Sequence, residues 1–271
     1  MSTQTLVKRW QPTLLVWASL GLHVVALIAL LLRPSVWPWA ISALIANHAV
    51  LSLAGLLPRC KLLGSNWTHL PAAAAARGEI ALTIDDGPQP GVTPAVLDLL
   101  ERYGAKATFF CIGTQAVQYP ELCRDIVRRG HAIENHSQTH GYGFALQGPR
   151  GFLRELQTAQ QTLTIITGER PLFFRAPAGL RNPFLDPVLH RLGLQLASWT
   201  RRAYDTRNGN ADAVTRILTR SLQAGDILLL HDRHAALTSQ GTPVILDVLP
   251  RLLEAMAAAN LRCVTLRSAL A

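Results

Sequence analysis

An α/β fold on a mostly parallel sheet, preceded by two long apolar helices, is predicted by three observations. From Glu79 onward, short apolar runs alternate with amphipathic stretches. Before it, two uncharged runs, 10–32 and 34–58, each exceed the roughly 20 residues that cross a bilayer core. Charge divides at the same place: residues 1–78 hold six basic residues and no acid, whereas the rest of the 271-residue chain holds 20 basic and 17 acidic residues.

The first two runs read as a transmembrane hairpin, with spans about 13–32 and 37–57 joined by the tight turn Arg33-Pro34-Ser35. Amides in lipid must be satisfied within their own segment, so both spans are predicted to be helices. Trp37 and Trp39 fall where an interfacial aromatic belt would sit. A signal peptide is the rival reading of the first span. Its run is longer than the usual apolar core of about 7–15 residues, and no small-x-small cleavage pattern follows. Lys8, Arg9, Arg59 and Lys61 flank the hairpin against Arg33 alone in its turn, which favours a cytoplasmic globular part. His23, Asn47 and His48 lie within the spans and read as helix–helix hydrogen-bonding residues. The predicted organisation is therefore a hairpin over 1–62, a linker over 63–78 containing five consecutive alanines, and a globular domain over 79–271.

Within that domain the predicted strands are 79–84, 107–112, 132–135, 173–175, 194–199, 226–230 and 262–266. Helical spacing falls between them, at 93–103, 120–129, 150–167, 186–192, 211–222 and 242–259, with glycine stops at 104, 130 and 168. Strands separated by helices of this length form βαβ units and a parallel sheet, open or closed into a barrel. In both cases chemistry belongs at the carboxyl ends of the strands.

Polar residues collect at those ends. Asp85 and Asp86 close the first strand, and two adjacent carboxylates call for a nearby cation. His136 and His140 are four apart, a spacing that on a helical turn sets both rings on one side to bite a divalent metal, with Asp86 as a third ligand. Arg175, Asp205 and the pair His231-Asp232 follow later strands. The net charge of +9 brings no Lys/Arg-rich run with interleaved aromatics, so a membrane surface explains it better than nucleic acid. Cys60, Cys111, Cys123 and Cys263 form no C-x-x-C pair, against a zinc ribbon, although Cys111 and Cys123 could pair. One visible ligand set argues against a two-metal phosphoesterase.

TIDDGP (83–88), HSQTH (136–140), FFRAPAG (173–179), SWTRRAYDT (198–206) and ILLLHD (227–232) resemble, in order, the five motifs of the NodB-like polysaccharide deacetylases, carbohydrate esterase family four. The resemblance covers about residues 79–269 and implies a distorted (β/α) barrel that hydrolyses the N-acetyl amide of sugars with one divalent metal, zinc or else cobalt or nickel. It implies Asp86, His136 and His140 as metal ligands, Asp85 as general base, Arg175 as its orienting partner and His231 as general acid tuned by Asp205. Leu228 would line the acetyl-methyl pocket, and the backbone N–H near Ala178 would meet the oxyanion. A sugar-binding module without catalysis would lack Asp85 or His231. Ala176 and Ala178 stand where the family usually has proline and an aromatic, Thr206 where it usually has tryptophan, and an acid is replaced near Arg202.

The hairpin makes the layout similar to deacetylases that act on undecaprenyl-phosphate N-acetylhexosamine. The expected substrate is therefore a lipid-linked N-acetylated sugar at the bacterial inner membrane, with membrane lipid as a partner. The alternative is a peptidoglycan or envelope polysaccharide deacetylase facing the periplasm.

Overall fold

The computed structural model describes residues 10–271, so Lys8 and Arg9 of the charge argument lie outside the described residues. Helix α1 (Leu14–Leu32) is capped by the Thr13 hydroxyl, which accepts from the Val16 amide, and α2 (Trp37–Leu56) begins after a single 3₁₀ turn. Both are long and apolar enough to cross a membrane, with mean hydropathies of 2.4 and 1.5, and both leave most of their apolar surface outside the protein. Asn47 donates to the Ser19 hydroxyl across the pair (2.9 Å), the interhelical bond expected of its polar residues.

The remainder alternates as the periodicity predicts. A one-turn helix α3 (Ala72–Ala76) precedes β1 (Glu79–Asp85), α4 (Thr93–Arg102), β2 (Ala107–Cys111), α5 (Gly113–Gln118), α6 (Pro120–Arg128) and β3 (Ala132–Asn135). Then come α7 (Pro149–Thr167), β4 (Phe173–Phe174), α8 (Leu185–Leu192), β5 (Gln195–Leu196), β6 (Arg201–Arg202) and α9 (Ala211–Thr219). The chain ends through β7 (Ile227–His231), α10 (Val244–Ala258) and β8 (Arg262–Val264). Helix α7 stops where the sequence predicts, at Gly168, and α8 stops at Gly193, both in the left-handed region that glycine enters without steric cost.

All pairings are parallel, in the order β5-β4-β3-β2-β1-β7-β6, with β8 beside the first half of β1. The sheet curls into a distorted, incompletely closed barrel whose two edge strands, β5 and β6, are separated only by residues 197–200. Strand alternation sorts the side chains. Ile80, Leu82, Ile84, Leu228 and Leu230 pack under the helices with Val96, Leu97, Leu249 and Leu252. Ala81, Phe110, Phe173, Ala197 and Ile227 form a second cluster on the opposite face. The predicted strand 194–199 is interrupted: only 195–196 pair with β4, and 201–202 cross to β7. Cys111 and Cys123 are buried thiols and do not pair.

Residues 63–78, expected as a linker, are packed against the domain. Trp67 forms a parallel bridge with Ala197, its amide donating to the Leu196 carbonyl (2.8 Å) and its carbonyl accepting from Ser198 (2.8 Å). Its ring meets Phe173 edge-on at 5.1 Å, and Leu70 donates to Gly225. A short apolar segment next to an unclosed sheet buries more surface as a patch than as a solvated tether.

The foot of the hairpin is stitched to the same region. Arg181 donates its amide to the Gly55 carbonyl (3.1 Å), Ser198 its hydroxyl to the Pro58 carbonyl (2.6 Å), and Trp10 its indole N–H to Asp186 (2.7 Å). A Cβ on Gly55 would stand 2.1 Å from the Arg181 carbonyl oxygen, so only glycine permits this approach. Gly55→Val is expected to cost about 1–3 kcal/mol by overpacking, read as a lower thermal unfolding midpoint of the full chain in detergent. Gly21→Ala, with nothing within 4 Å, is the control expected to cost nothing.

Candidate active site

The site lies at the carboxyl ends of β1, β3, β4 and β7, where the fold class places it. Register sets Asp85 of β1 level with His231 of β7 and with Phe110 of β2. Asp86 then leaves the strand at φ 77°, a left-handed conformation that aspartate tolerates better than most residues. That turn sends two adjacent carboxylates to different neighbours.

Asp85 goes to Arg175. The guanidinium donates to Asp85 Oδ1 (2.7 Å) and the Thr83 hydroxyl (2.7 Å) through Nη1, to the Ser198 carbonyl through Nη2 (2.7 Å) and to the Ala197 carbonyl through Nε (3.1 Å). Its Cζ stands 4.2 Å over the Phe110 ring, and the side chain is 1% exposed. A cation so buried survives only when its donors are met.

Asp86 goes to the histidines. Its Oδ1 lies 3.2 Å from His136 Nε2 and 3.3 Å from His140 Nε2. One ligand atom from each of the three residues falls within 4.8 Å of the others. His136 Nδ1 is 2.9 Å from the Arg175 carbonyl, which can only accept, so Nδ1 carries the proton and Nε2 presents its lone pair. His140, pushed down to about 4 by burial and by His136, is neutral at pH 7. Asp86 Oδ1 is buried without a hydrogen-bond partner. An orphaned carboxylate oxygen facing two imidazole lone pairs is unfavourable unless a cation lies among them. The donor set, two nitrogens and one oxygen with His140 partly open to solvent, fits one divalent ion with positions left for water and substrate.

The histidines do not ride a helical turn. Residues 136–140 form an irregular loop with Ser137 and His140 at positive φ (63° and 53°). Side-chain bonds hold it: Ser137 N–H donates to Asn135 Oδ1 (2.9 Å), His140 N–H to Ser137 Oγ (3.1 Å), and Thr139 N–H and Oγ1 both to Glu155 Oε2 (3.0 Å each). The rings still converge, with centroids 4.8 Å apart.

His231 Nδ1 is 2.9 Å from Asp205 Oδ1, and its amide donates to Asp205 Oδ2 (2.7 Å). Burial is the largest influence on this imidazole and opposes its charge. The Asp205 bond and charge, joined by Asp85 and Asp86, outweigh burial and hold its pKa above the ordinary value.

The expectation for Leu228 needs correction. Leu228 does not face the site: it points into the helix-covered core with Leu82 and Leu230. A strand alternates every residue, so Leu229, opposite Thr83 in register, shares the face of Asp85 and His231. His131 takes no part in the site: it accepts from the Ala107 amide (3.2 Å) at the start of β2, the far end of the strand. His234, exposed to solvent, also brings Nδ1 3.3 Å from Asp86 Oδ2 and so steadies the carboxylate whose other oxygen faces the histidines. Its positive φ, 64°, turns it back toward the site, a feature no spacing rule announces. Asp232, behind Gly87, accepts from the Thr93 hydroxyl and is pushed up to about 7, chiefly by burial and further by the Asp86 charge. Ala178 sits exposed at φ 55°, three residues past Arg175. Arg202 is stacked between Trp199 and Tyr204, its Cζ 5.2 and 5.0 Å from their rings, so aromatics flank the fourth motif despite Thr206.

Residues 72–197 match the polysaccharide deacetylase family. A peptidoglycan-N-acetylglucosamine deacetylase of Bacillus cereus is 34% identical over 175 residues, covering 64% of this chain and 81% of that protein. A chitooligosaccharide deacetylase of Azorhizobium caulinodans is 38% identical over 162 residues, 58% of this chain and 74% of that one. The family 4 carbohydrate esterase of Streptomyces lividans, solved with acetate, superposes with a TM-score of 0.62 at 32% identity, covering 69% of this chain and 91% of its own. With this fold and these relatives, the chain belongs to the polysaccharide deacetylases, carbohydrate esterase family four, metal-dependent hydrolases of the N-acetyl amides of sugars.

Proposed function

We propose that the protein removes the acetyl group from an N-acetylhexosamine carried on undecaprenyl phosphate, at the cytoplasmic face of the bacterial inner membrane. One observation carries the substrate reading: the two apolar helices are bonded into the rim of the catalytic domain beside the third motif, through Gly55–Arg181 and Pro58–Ser198. An anchor on a flexible tether would serve a distant polymer. An anchor fused to the rim of the site suits a substrate that itself stays in the membrane. Both feet of the hairpin are on the domain side, with Thr13 donating its hydroxyl to the Leu62 carbonyl (2.7 Å), and the flanking basic residues favour the cytoplasm.

In this reading Asp86, His136 and His140 would hold one divalent ion, zinc in the first instance, which when bound would supply a Lewis acid for the acetyl carbonyl and bring a water's pKa toward ~7. Asp85 takes a proton from the water that attacks the carbonyl carbon, and Arg175 aims its carboxylate. The Ala178 N–H donates to the developing oxyanion. His231, protonated through Asp205, delivers its proton to the sugar nitrogen as the C–N bond breaks, leaving acetate and a free amine. Leu229 takes the acetyl-methyl role expected of Leu228.

The named relatives favour a second reading, in which the domain faces the periplasm and acts on peptidoglycan or another envelope polysaccharide.

Purified full chain is expected to release acetate from undecaprenyl-phosphate N-acetylhexosamine in a zinc-dependent way, and a C-terminal topology reporter to read cytoplasmic. Silence on that substrate, with turnover of peptidoglycan fragments or chito-oligomers, would transfer the assignment to the second reading. Asp85→Asn keeps an acceptor for Arg175 but cannot take a proton. It should lose roughly 10²–10⁴-fold in kcat with bound metal unchanged by elemental analysis, and retained turnover would remove Asp85 as base. For His231, a raised pKa keeps the acid protonated above its ordinary value of 6.5, so the alkaline limb of kcat/KM lies above that pH. Asp205→Asn should move this limb to lower pH, and an unmoved limb would count against the pairing.

A further inference from the structure

We infer that the cleft between the hairpin and the catalytic domain seats an isoprenoid phosphate, with Arg181 as the cation for its phosphate. This rests on the lipid-linked reading above and adds a second site to it, for the carrier and not the sugar. The cleft has a volume of about 600 Å³ and is walled by α1 and α2 on one side and by residues 145–146 and 180–184 on the other. Neither half of the molecule makes it alone.

Its lining is mostly apolar, with Ser19, His23, His48 and Ser52 the polar residues of the hairpin. Leu20, Leu51 and Leu56 of the hairpin face Leu146 and Phe184 of the domain. The last two are 90% and 52% exposed, an apolar rim that an aqueous polysaccharide would not require. Along α1 the lining runs from Val16 to His23, about 10 Å at 1.5 Å per residue. At the domain end stands Arg181, 4% exposed. One terminal nitrogen donates to the Cys60 carbonyl, while the buried Nε has no partner. Among the described residues no acid lines the cleft, and Asp186, the acid near Arg181, is taken by the Trp10 indole. A buried guanidinium with an unmet donor at the end of an apolar channel is a receptor for one anionic head on one hydrocarbon chain.

Position selects that head. Arg181 is three residues past Ala178, so the two Cα atoms are at most about 11 Å apart. A phosphate at Arg181 leaves a sugar bonded to it within reach of the site, while the chain runs back along the hairpin. An ordinary phospholipid is the competing occupant, but it presents nothing for deacetylation.

The test uses the full chain in detergent, with undecaprenyl phosphate as the probe and undecaprenol and phosphatidylglycerol as comparators, read by native mass spectrometry. Undecaprenyl phosphate should bind, with or without zinc, and Arg181→Gln should weaken it by about 10-fold or more. Ser52→Phe, an exposed helix position lining the cleft, should weaken both polyprenyl probes and covers the case in which Arg181→Gln fails to fold. Equal binding of phosphatidylglycerol, or full affinity in Ser52→Phe, overturns the inference. Polyprenyl-phosphate binding without acetate release from the lipid-linked sugar would sink the substrate reading and leave the cleft standing. Acetate release with a KM unmoved by Ser52→Phe would sink the cleft alone.

Discussion

The site is organised around one buried cation. Arg175 leaves β4 and spends its donors on Asp85 and Thr83 of β1 and on the carbonyls of Ala197 and Ser198 past β5, while its own carbonyl sets the tautomer of His136. A guanidinium this far from water is tolerated only because each contact is met, so the residue ties three strands in one geometry. It also divides the labour between adjacent carboxylates. Asp85 is paired with and aimed by Arg175. Asp86, turned away by its positive φ, keeps one oxygen unpartnered between two imidazoles.

His231 and Asp205 complete the arrangement from the other side of β1. Because β1 pairs with β7 in parallel, Asp85 and His231 are level neighbours, which brings a carboxylate and an imidazole to one space from positions 146 residues apart. Burial works against charge on His231 and is overcome by Asp205, whose two oxygens hold both the ring and the backbone of that histidine. The electrostatics of the site are thus arguments about burial offset by specific partners.

The hairpin is joined to this machinery through the gap that the sheet leaves open. Trp67 bridges to Ala197, Pro58 accepts from Ser198, and Gly179, at φ 76°, leaves room for Pro58 and Trp199 where a Cβ would stand 2.7 Å from each. The edge where the barrel fails to close is therefore the edge that receives the apolar helices, and Ala178 and Arg175 belong to the same stretch of chain. This seam joins the apolar helices to the stretch that carries Ala178 at its positive φ.

Much of this was legible beforehand. Period-two and period-3.6 patterns placed nearly every strand and helix, and the strand-end residues Asp85, Asp86, His136, His140, Arg175, Asp205 and His231 are the ones that converge. The failures share a cause. Leu228 and Leu229 are equally apolar, and only the register of β7 against β1 says which one faces inward. The 136–140 loop owes its shape to Asn135 and Glu155, and the nearness of Glu155 is a tertiary fact. Residues 63–78 look like a tether until the unclosed sheet edge exists to receive them.

Sequence alone determined which chemical groups are present, on which kind of element, and that two apolar helices precede an alternating domain, because periodicity and residue type are local properties. Tertiary structure decided which of two neighbouring side chains points into the site, which distant residue steadies it, as His234 steadies Asp86, and where the hairpin lands. Those outcomes depend on register, positive-φ turns and the burial of one surface by another, none of which exists until remote segments meet.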